Sequence, residues 1–393
     1  MYAFYFLLGA VILWGARGYK RREWNEEYCS LGQTKILLGI NAILIPVHHI
    51  AQKTCASWLD EKYIIPGLEV FVPVGHLLVA VFLFCSGLGL YKSFKSKRDY
   101  LKGFVKKRIL PLVIAYYLSE YIYLLVRVFM GEKMSPKDVI CYISGLHMAN
   151  MNAWYLVAIV FFYAFFYLSF RFCRKEGTAI LWMFVACVLY ALLGAAVGHQ
   201  NYWWIRGEWW YNSIILLPVG LLFARYEQKI TAFFKKTYVF LLPFSILLTV
   251  GLYVLSEYVM KVWGYYGEYW GDPLLILHRL GCCLVQWLLC ISYVAVNFLV
   301  LLKVRLGNGL LKLVGSVTLE LYLMHGMFVE LFGFDFLNEV PSIVYIKNVP
   351  LFILVVFACS VPMTFLFRLV WKKIVGLLGL KAVADKGEAL KNN

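Results

Sequence analysis

The chain has 393 residues, of which 62% are hydrophobic and 15% charged, and its mean hydropathy is +0.73. Soluble domains are about half apolar and about one quarter charged, so a chain of this composition could not cover its own core with polar surface. The net charge of +16 lies in short basic segments between apolar runs, which favours anionic lipid over nucleic acid as a partner. The composition therefore predicts an integral membrane protein.

Eleven apolar runs have the composition of membrane spans, which need roughly 20 residues each. In chain order they lie near residues 2–16, 34–51, 68–91, 109–130, 154–171, 178–197, 212–225, 238–259, 275–302, 313–334 and 348–370. No soluble domain of any size separates them. The sequence therefore predicts an all-α, polytopic bundle of about eleven transmembrane helices.

The Lys and Arg residues between the spans predict the orientation, because cytoplasmic connections carry an excess of them. With the N-terminus outside, about 29 of the 38 fall on the inside. The inside segments are then 17–35, 92–108, 171–177, 225–237, 303–312 and the tail from 368. We therefore expect a multi-pass plasma-membrane protein with its N-terminus outside and its C-terminus in the cytoplasm.

The predicted outer connections are rich in aromatic residues. They include Tyr202-Trp203-Trp204, Trp209-Trp210-Tyr211 and Trp263-Gly264-Tyr265-Tyr266. Trp and Tyr concentrate at the headgroup level of a bilayer, which is the simpler interpretation. The same rings could stack against sugars, so a role in binding stays open.

Titratable side chains inside the spans are the candidates for function, because a bilayer core makes them costly. His49 lies about 20 Å along the second span from its cytoplasmic start near Lys35. An imidazole there can take a proton from an attacking hydroxyl. From the residue alone, a structural histidine bonded to a neighbouring helix is the simpler interpretation. His48 points roughly 100° away, so only one of the two can face a given cavity.

The inside segment 92–108 is unusually basic, with eight Lys and Arg residues against one acid, Asp99. Fewer positive charges would be enough to keep this connection on the cytoplasmic side. Lys106, Lys107 and Arg108 stand directly before the fourth span, where they could hold the phosphates of a donor such as coenzyme A. On composition alone, a stop at the cytoplasmic surface is the simpler interpretation of such a cluster.

A second histidine, His325, ends the stretch from Gly315 and lies at a depth similar to that of His49. Tyr322, three residues earlier, is its neighbour on the helix surface. The chain has no Gly-x-Ser-x-Gly elbow, no Walker loop, no His-Glu-x-x-His sequence and no Cys-x-x-Cys pair. The motifs therefore predict no metal site and no hydrolase or nucleotidase.

Four stretches, in this order along the chain, resemble the membrane acyltransferase-3 family, whose multi-spanning members acylate bacterial polysaccharides, peptidoglycan and lipid-linked sugars. They are 38–49, which ends in His49, 82–90 with Ser86, 104–111 with Arg108, and 315–325, which ends in His325. The resemblance runs from about residue 34 to 370. The sequence departs from the family pattern at Leu38 and Val105, where the family has basic residues.

The resemblance implies ten core helices and acyl transfer, by family expectation of acetyl, from cytoplasmic acyl-CoA to a glycan or lipid-linked sugar. No permanently bound cofactor is implied. His49 would be the reacting histidine, assisted by His325. The donor would be bound by Arg108, Lys107, Lys106, Lys35 and Ser86.

We therefore expect an additional transmembrane helix and basic segment over 1–33, a transmembrane acyltransferase domain over 34–370, and a cytoplasmic tail over 371–393. A transporter or flippase for a lipid-linked sugar or small anion is the alternative, because many spans with buried His and Glu fit that class too. A non-catalytic family member is a third interpretation. The oligomeric state and a disulfide between Cys55 and Cys141 stay open.

Overall fold

The computed structural model describes residues 1–197, 212–263, 273–336, 340–341 and 343–380. Within these ranges the chain is an all-α bundle, which confirms the predicted fold class. Its α-helices are α1 (Tyr2–Leu13), α2 (Leu31–Thr54), α3 (Gly75–Ser96), α4 (Leu110–Phe129), α5 (Pro136–Ile143), α6 (Trp154–Phe172), α7 (Glu176–Val197), α8 (Leu216–Arg225), α9 (Glu227–Val262), α10 (Leu275–Leu301), α11 (Gly309–Val314), α12 (Thr318–Phe332) and α13 (Val349–Leu377). Two antiparallel ladders pair β1 (Arg17–Gly18) with β2 (Val304–Arg305) and β3 (Asp335–Phe336) with β4 (Val340–Pro341).

Among the described residues, eight helices are long and apolar enough to cross a bilayer. They are Leu31–Thr54, Gly75–Ser96, Val105–Phe129, Met151–Phe172, Glu176–Ala196, Glu227–Val262, Leu275–Leu301 and Val349–Leu377. The other three predicted spans are helical too, as α1, α8 and α12, but these have only 12, 10 and 15 residues. At 1.5 Å per residue they are about 15 to 23 Å long, below the roughly 30 Å of a hydrocarbon core. For α8 and α12 the surrounding helices explain this, since short helices are tolerated where protein covers them.

Helical structure also extends beyond the predicted spans. The helix α9 begins at Glu227, whereas the apolar run was placed at 238–259. Residues Val105–Ile109, predicted as an inside loop, form a π-helical turn that leads into α4. The short helix α5 was not predicted at all. Apolar runs identify the part of a helix that lies in lipid, and polar turns that continue into water do not carry that signal.

The helices α3 and α8 touch backbone to backbone. A Cβ atom at Gly87 would collide with the carbonyl of Leu217, and one at Gly220 would collide with the carbonyl of Phe84. Small residues allow this approach, which dispersion forces stabilise in a membrane. The crossing explains why the short helix α8 is held inside the bundle.

Five of the six segments predicted to be inside meet at one end of the bundle. They are joined by Lys92–Glu227 (2.9 Å), Lys95–Glu176 (2.8 Å), Lys235–Glu26 (2.7 Å), Arg305–Glu27 (3.0 Å) and the β1–β2 ladder. The contacts therefore agree with the predicted alternation of the segments. Which face of the membrane this end meets remains a prediction.

Several sequence expectations fall outside the described residues. The aromatic segments 202–204 and 209–211 do so, as do residues 264–266 and the tail beyond 380. Trp263 is described, and its ring stacks on that of His278 with centroids 5.6 Å apart. Cys55 and Cys141 are both free thiols.

Candidate active site

The helices α2 and α12 bring His49 and His325 together, although the two residues are 276 positions apart. The Nδ1 atom of His49 lies 2.8 Å from Nε2 of His325, and the stacked rings have centroids 4.9 Å apart. The Nδ1 atom of His325 lies 2.9 Å from the carbonyl oxygen of Leu321. His325 is fully buried, whereas His49 is half-buried. The two histidines singled out in the sequence thus form one hydrogen-bonded pair.

The hydrogen bonds of this pair assign its protons. A carbonyl oxygen only accepts, so Nδ1 of His325 donates to Leu321, and Nε2 of a neutral His325 is left as an acceptor. The Nδ1 atom of His49 therefore donates to His325, and Nε2 of His49 carries a lone pair. This lone pair belongs to the half-buried ring, which is the more exposed ring of the two. The pair is arranged to act as a base.

The sequence of α2 explains where this helix starts and where it is interrupted. The Ser30 side chain caps the helix by accepting a hydrogen bond from the Gln33 amide. Pro46 stands inside the helix, three residues before His49. A proline has no amide hydrogen, so the carbonyl of Ala42 loses its usual helical donor. His49 thus lies about one turn after the only proline of α2, where the helical hydrogen-bond pattern is interrupted.

A close crossing between α2 and α11 fixes the helix of His49 against the chain that leads into α12. A Cβ atom at Gly39 would collide with the carbonyl of Leu311, and one at Gly315 would collide with the carbonyl of Lys35. Neither backbone group can move aside without shifting its helix. Gly315 and His325 belong to the same sequence stretch, so the stretch both sets this crossing and supplies the second histidine.

The turn of α12 that carries His325 is held from outside by two side chains. The Met327 amide donates to the Tyr123 hydroxyl (2.7 Å), and the Asn150 side-chain amide donates to the Leu323 carbonyl (3.0 Å). These bonds bracket His325 on both sides along the helix. They fix its height relative to α4 and to the segment before α6.

The carboxylate of Glu120 holds the Asn150 segment in turn. It accepts hydrogen bonds from the backbone amides of Ala149 (2.5 Å) and Asn150 (3.2 Å), and it is almost fully buried. Glu120 is an ionisable residue inside the predicted span 109–130, whereas nothing in the sequence singles out Asn150. Asn150 lies in an irregular segment, where no periodic pattern marks a residue.

His48 contacts a different segment of the chain from the one that the pair contacts. Its Nδ1 atom lies 2.7 Å from the carbonyl oxygen of Phe71, and its ring centroid is 5.0 Å from that of His49. Its imidazole packs directly against Gly75, where a Cβ atom would collide with the ring. Among the residues that the structure describes, no three His, Cys, Asp or Glu side chains are arranged to hold a metal ion.

The basic residues expected to bind the donor lie on the π-helical turn before α4. Lys106 and Lys107 are exposed, while Arg108 is half-buried with its guanidinium carbon 5.8 Å from the ring centre of Tyr100. π-helical turns are rare in proteins, and those that do occur are often found at functional sites. Lys35 lies elsewhere: it is about 21 Å from His49 along the axis of α2. The structure therefore places Lys35 at the α2–α11 crossing and not beside the histidines.

Aromatic residues connect the basic turn with Ser86. The ring of Phe104, which precedes the turn, lies 5.6 Å from that of Tyr100 and 6.0 Å from that of Tyr163. The Tyr163 hydroxyl lies 3.2 Å from the Ser86 hydroxyl. Ser86 thus belongs to the interior continuation of the basic turn.

A second aromatic group continues from α3 to the histidine pair. Phe82, one turn before Ser86, lies 6.4 Å from the ring of Tyr155, and Tyr155 lies 5.5 Å from the ring of Tyr322. The ring of Tyr322 is 6.1 Å from that of His325. One aromatic group therefore leads from Arg108 to Ser86, a second leads from Phe82 to His325, and one turn of α3 joins the two groups.

The comparisons with known proteins give one family. A family model described as an acyltransferase domain matches residues 39–369, which run from α2 into α13. The match contains His49, Ser86, Arg108 and His325 and leaves α1 outside. No curated protein and no solved structure matches the chain.

Proposed function

Because the chain belongs to the membrane acyltransferase-3 family, we propose that it transfers a short acyl group, by family expectation acetyl, from cytoplasmic acyl-CoA to a hydroxyl of a glycan or lipid-linked sugar. The chain is a multi-pass membrane acyltransferase. The identities of the donor, the acceptor and the acyl group are proposed. The observation that carries it is the hydrogen bond between His49 and His325, which leaves Nε2 of His49 unprotonated.

The reaction needs one base at the acceptor hydroxyl. The hydroxyl oxygen attacks the thioester carbonyl while Nε2 of His49 takes its proton. The tetrahedral intermediate then expels the CoA thiolate, to which the His49 imidazolium returns the proton. The products are the ester and the CoA thiol, and the histidine ends neutral.

His325 acts on the same reaction from behind His49. It accepts the Nδ1–H bond in the neutral state and continues to do so once His49 is charged. In a buried setting a hydrogen bond from a cation is stronger than a neutral one. His325 therefore orients the base and stabilises the imidazolium.

A covalent route would use the same nitrogen. Nε2 of His49 would attack the thioester, release CoA and carry the acyl group as an acyl-imidazole until the acceptor hydroxyl takes it. The two routes differ in the order of events. A burst of CoA release without acceptor, stoichiometric with enzyme, would identify the covalent route, and its absence would identify general base catalysis.

The donor is proposed to bind across the bundle. Lys106, Lys107 and Arg108 offer positive charge to its phosphates, with Lys35 at the same end, and the aromatic residues around Ser86 would line the path of its thioester arm. His49 lies about 27 Å from the start of α2 but only about 8 Å from its end. The acyl group would therefore meet the acceptor near the outer end of the bundle.

The test is release of CoA from acetyl-CoA by purified protein in lipid, with a panel of sugar acceptors. We expect His49→Ala to lower the rate by about 10²- to 10⁴-fold, the usual range for a catalytic acid or base. His147→Ala is the matched control, because that ring packs on Tyr142. Unchanged release in folded His49→Ala protein would contradict the proposal. Substrate movement across the bilayer without CoA release would instead support the transporter alternative.

A further inference from the structure

Two chain segments lie over the outer ends of the helices that carry the histidines. The amide of Ile65 donates to the carbonyl of Thr54 at the end of α2 (2.7 Å), and the amide of Ile346 donates to the carbonyl of Phe332 at the end of α12 (3.1 Å). These bonds draw residues 60–65 and 343–348 over the same end of the bundle.

An ion pair joins α2 and α12 one turn outward from the histidine pair. Lys53 follows His49 by four residues and lies above it on the same face of α2, whereas Glu330 follows His325 by five residues and lies further around α12. The Lys53 ammonium and the Glu330 carboxylate are 2.8 Å apart, and their side chains are 14% and 20% exposed. Because the two charges balance, the ion pair can donate and accept hydrogen bonds without giving this site a net charge.

Three aromatic rings from three segments meet beside this ion pair. Tyr63 and Phe334 have ring centroids 3.4 Å apart, and Tyr345 lies 5.9 Å from Phe334 and 6.2 Å from Tyr63. All three are half-buried. The exposed lysines Lys62 and Lys347 lie over the rings of Tyr63 and Tyr345, 4.9 and 5.8 Å from the centroids. Such exposed cation–π contacts are weak, about 0.5–1 kcal/mol, so a ligand could displace the two lysines from the rings.

The aromatic cluster and the ion pair are contiguous. Gly333 precedes Phe334, and a Cβ atom at Gly333 would lie 3.5 Å from the Lys53 side chain. We call the five residues Lys53, Tyr63, Glu330, Phe334 and Tyr345 the outer rim. It places apolar ring faces next to one carboxylate and one ammonium group, directly outward of the reacting histidine.

We propose that the outer rim is the acceptor subsite and that it takes a neutral pyranose ring. A pyranose has an apolar C–H face, which aromatic rings can cover, and an edge of hydroxyls, which a carboxylate can accept from and an ammonium can donate to. With the ring on the rim, its inner edge would face the side of the bundle on which His49 lies. This inference rests on the proposed function for its chemistry, but the binding it requires can be measured without any reaction.

Membrane-interface anchoring is the competing explanation for aromatic residues at this end. Trp58 illustrates it, because its side chain is 59% exposed on the same outer segment and is not part of the rim. The rim residues differ, since they contact one another across three segments and stand over the ends of α2 and α12. Trp58 therefore provides a matched control for Tyr345.

The experiment measures binding of a panel of methyl pyranosides by saturation-transfer NMR, to protein in lipid nanodiscs without acyl-CoA. We expect Tyr345→Ala to weaken binding about five- to tenfold, the range of one lost aromatic contact, and Trp58→Ala to leave it unchanged. Tyr345→Phe keeps the ring and should bind like the wild type, which separates ring loss from unfolding. In the coupled reaction, Tyr345→Ala should raise KM for the acceptor and leave KM for acetyl-CoA unchanged.

Two outcomes would overturn the inference. One is that no methyl pyranoside binds the wild type, and the other is that Tyr345→Ala and Trp58→Ala behave alike. Binding that depends on Tyr345, in a protein that releases no CoA, would keep the subsite and reject the acyltransferase chemistry. The failure of the subsite and the failure of the proposed function are thus distinguishable.

Discussion

The chemistry of the histidine pair depends on which nitrogen atoms carry protons. The Leu321 carbonyl fixes one proton on His325, and the contact with His49 fixes the next. The lone pair at Nε2 of His49 is a consequence of both hydrogen bonds. A buried structural histidine would need only one such partner, as His48 has in Phe71.

Replacing His325 should therefore damage catalysis without preventing donor binding. We expect His325→Ala to lower kcat about 10²-fold or more, because His49 loses the partner that fixes its protons, and to leave KM for acyl-CoA near its normal value. Steady-state CoA release measures both. A variant with normal kcat would show that the contact is structural only.

Gly75 makes room for the His48 ring, so its substitution tests how tightly this region packs. We expect Gly75→Ala to lower Tm and activity, because the new Cβ atom would occupy the position of the His48 imidazole. Gly89→Ala on the same helix meets open space and should be neutral or stabilising by about 0.5–1 kcal/mol. Thermal unfolding in the same nanodiscs compares the two. Equal effects would exclude a special role for Gly75.

At the level of elements, the position of α12 relative to α2 is set by backbone contact at one end and by side chains at the other. Gly39 and Gly315 allow the close approach, and Tyr123 and Asn150 hold the turn around His325. The histidine contact lies at the second of these restraints. Changes far from the histidines should thus alter the distance between their rings.

The crossing of α2 and α11 gives a direct test. Gly315→Ala should lower both Tm and the rate of CoA release, because its Cβ atom would push against the Lys35 carbonyl and separate the helices. Gly309→Ala, where nothing lies within 4 Å, is the control and should retain both. If Gly315→Ala retained full activity, the crossing would not be what sets the histidine distance.

The helix α1 lies outside the matched family region and packs on the loop beside His48. The Tyr5 hydroxyl donates to the Gly67 carbonyl (2.8 Å), and its ring stacks on Phe71 with centroids 5.9 Å apart. We expect Tyr5→Phe to cost about 1 kcal/mol of stability by losing the hydrogen bond, and Tyr5→Ala to cost more. Phe6→Ala, at a side chain that is 77% exposed, is the control. Unfolding curves that coincide for all three variants would show that α1 does not brace the loop.

For the molecule as a whole, the distribution of charge predicts one orientation in the membrane. The ion pairs gather the basic segments at one end, and the histidine pair lies near the other. This arrangement suits a donor from one side and an acceptor from the opposite side. The orientation itself depends only on the rule that basic segments stay in the cytoplasm.

Thiol labelling of intact cells tests this orientation. In a background without accessible native cysteines, a membrane-impermeant reagent should label Lys62→Cys and not Lys235→Cys. Permeabilised cells, in which both should react, provide the control. The reverse pattern would place the basic end outside and would contradict a cytoplasmic donor site.

The sequence alone determined the membrane class, the all-α fold, most helix positions and the family, with His49 and His325 as its candidates. Hydrophobic runs and short motifs are properties of neighbouring residues, and they survive without knowledge of the fold. Only the tertiary structure decided that the two histidines touch, which assigns the lone pair to Nε2 of His49, and that Asn150 holds α12. These facts depend on how helices cross, and crossings depend on glycines and buried hydrogen bonds between residues that are far apart in the chain.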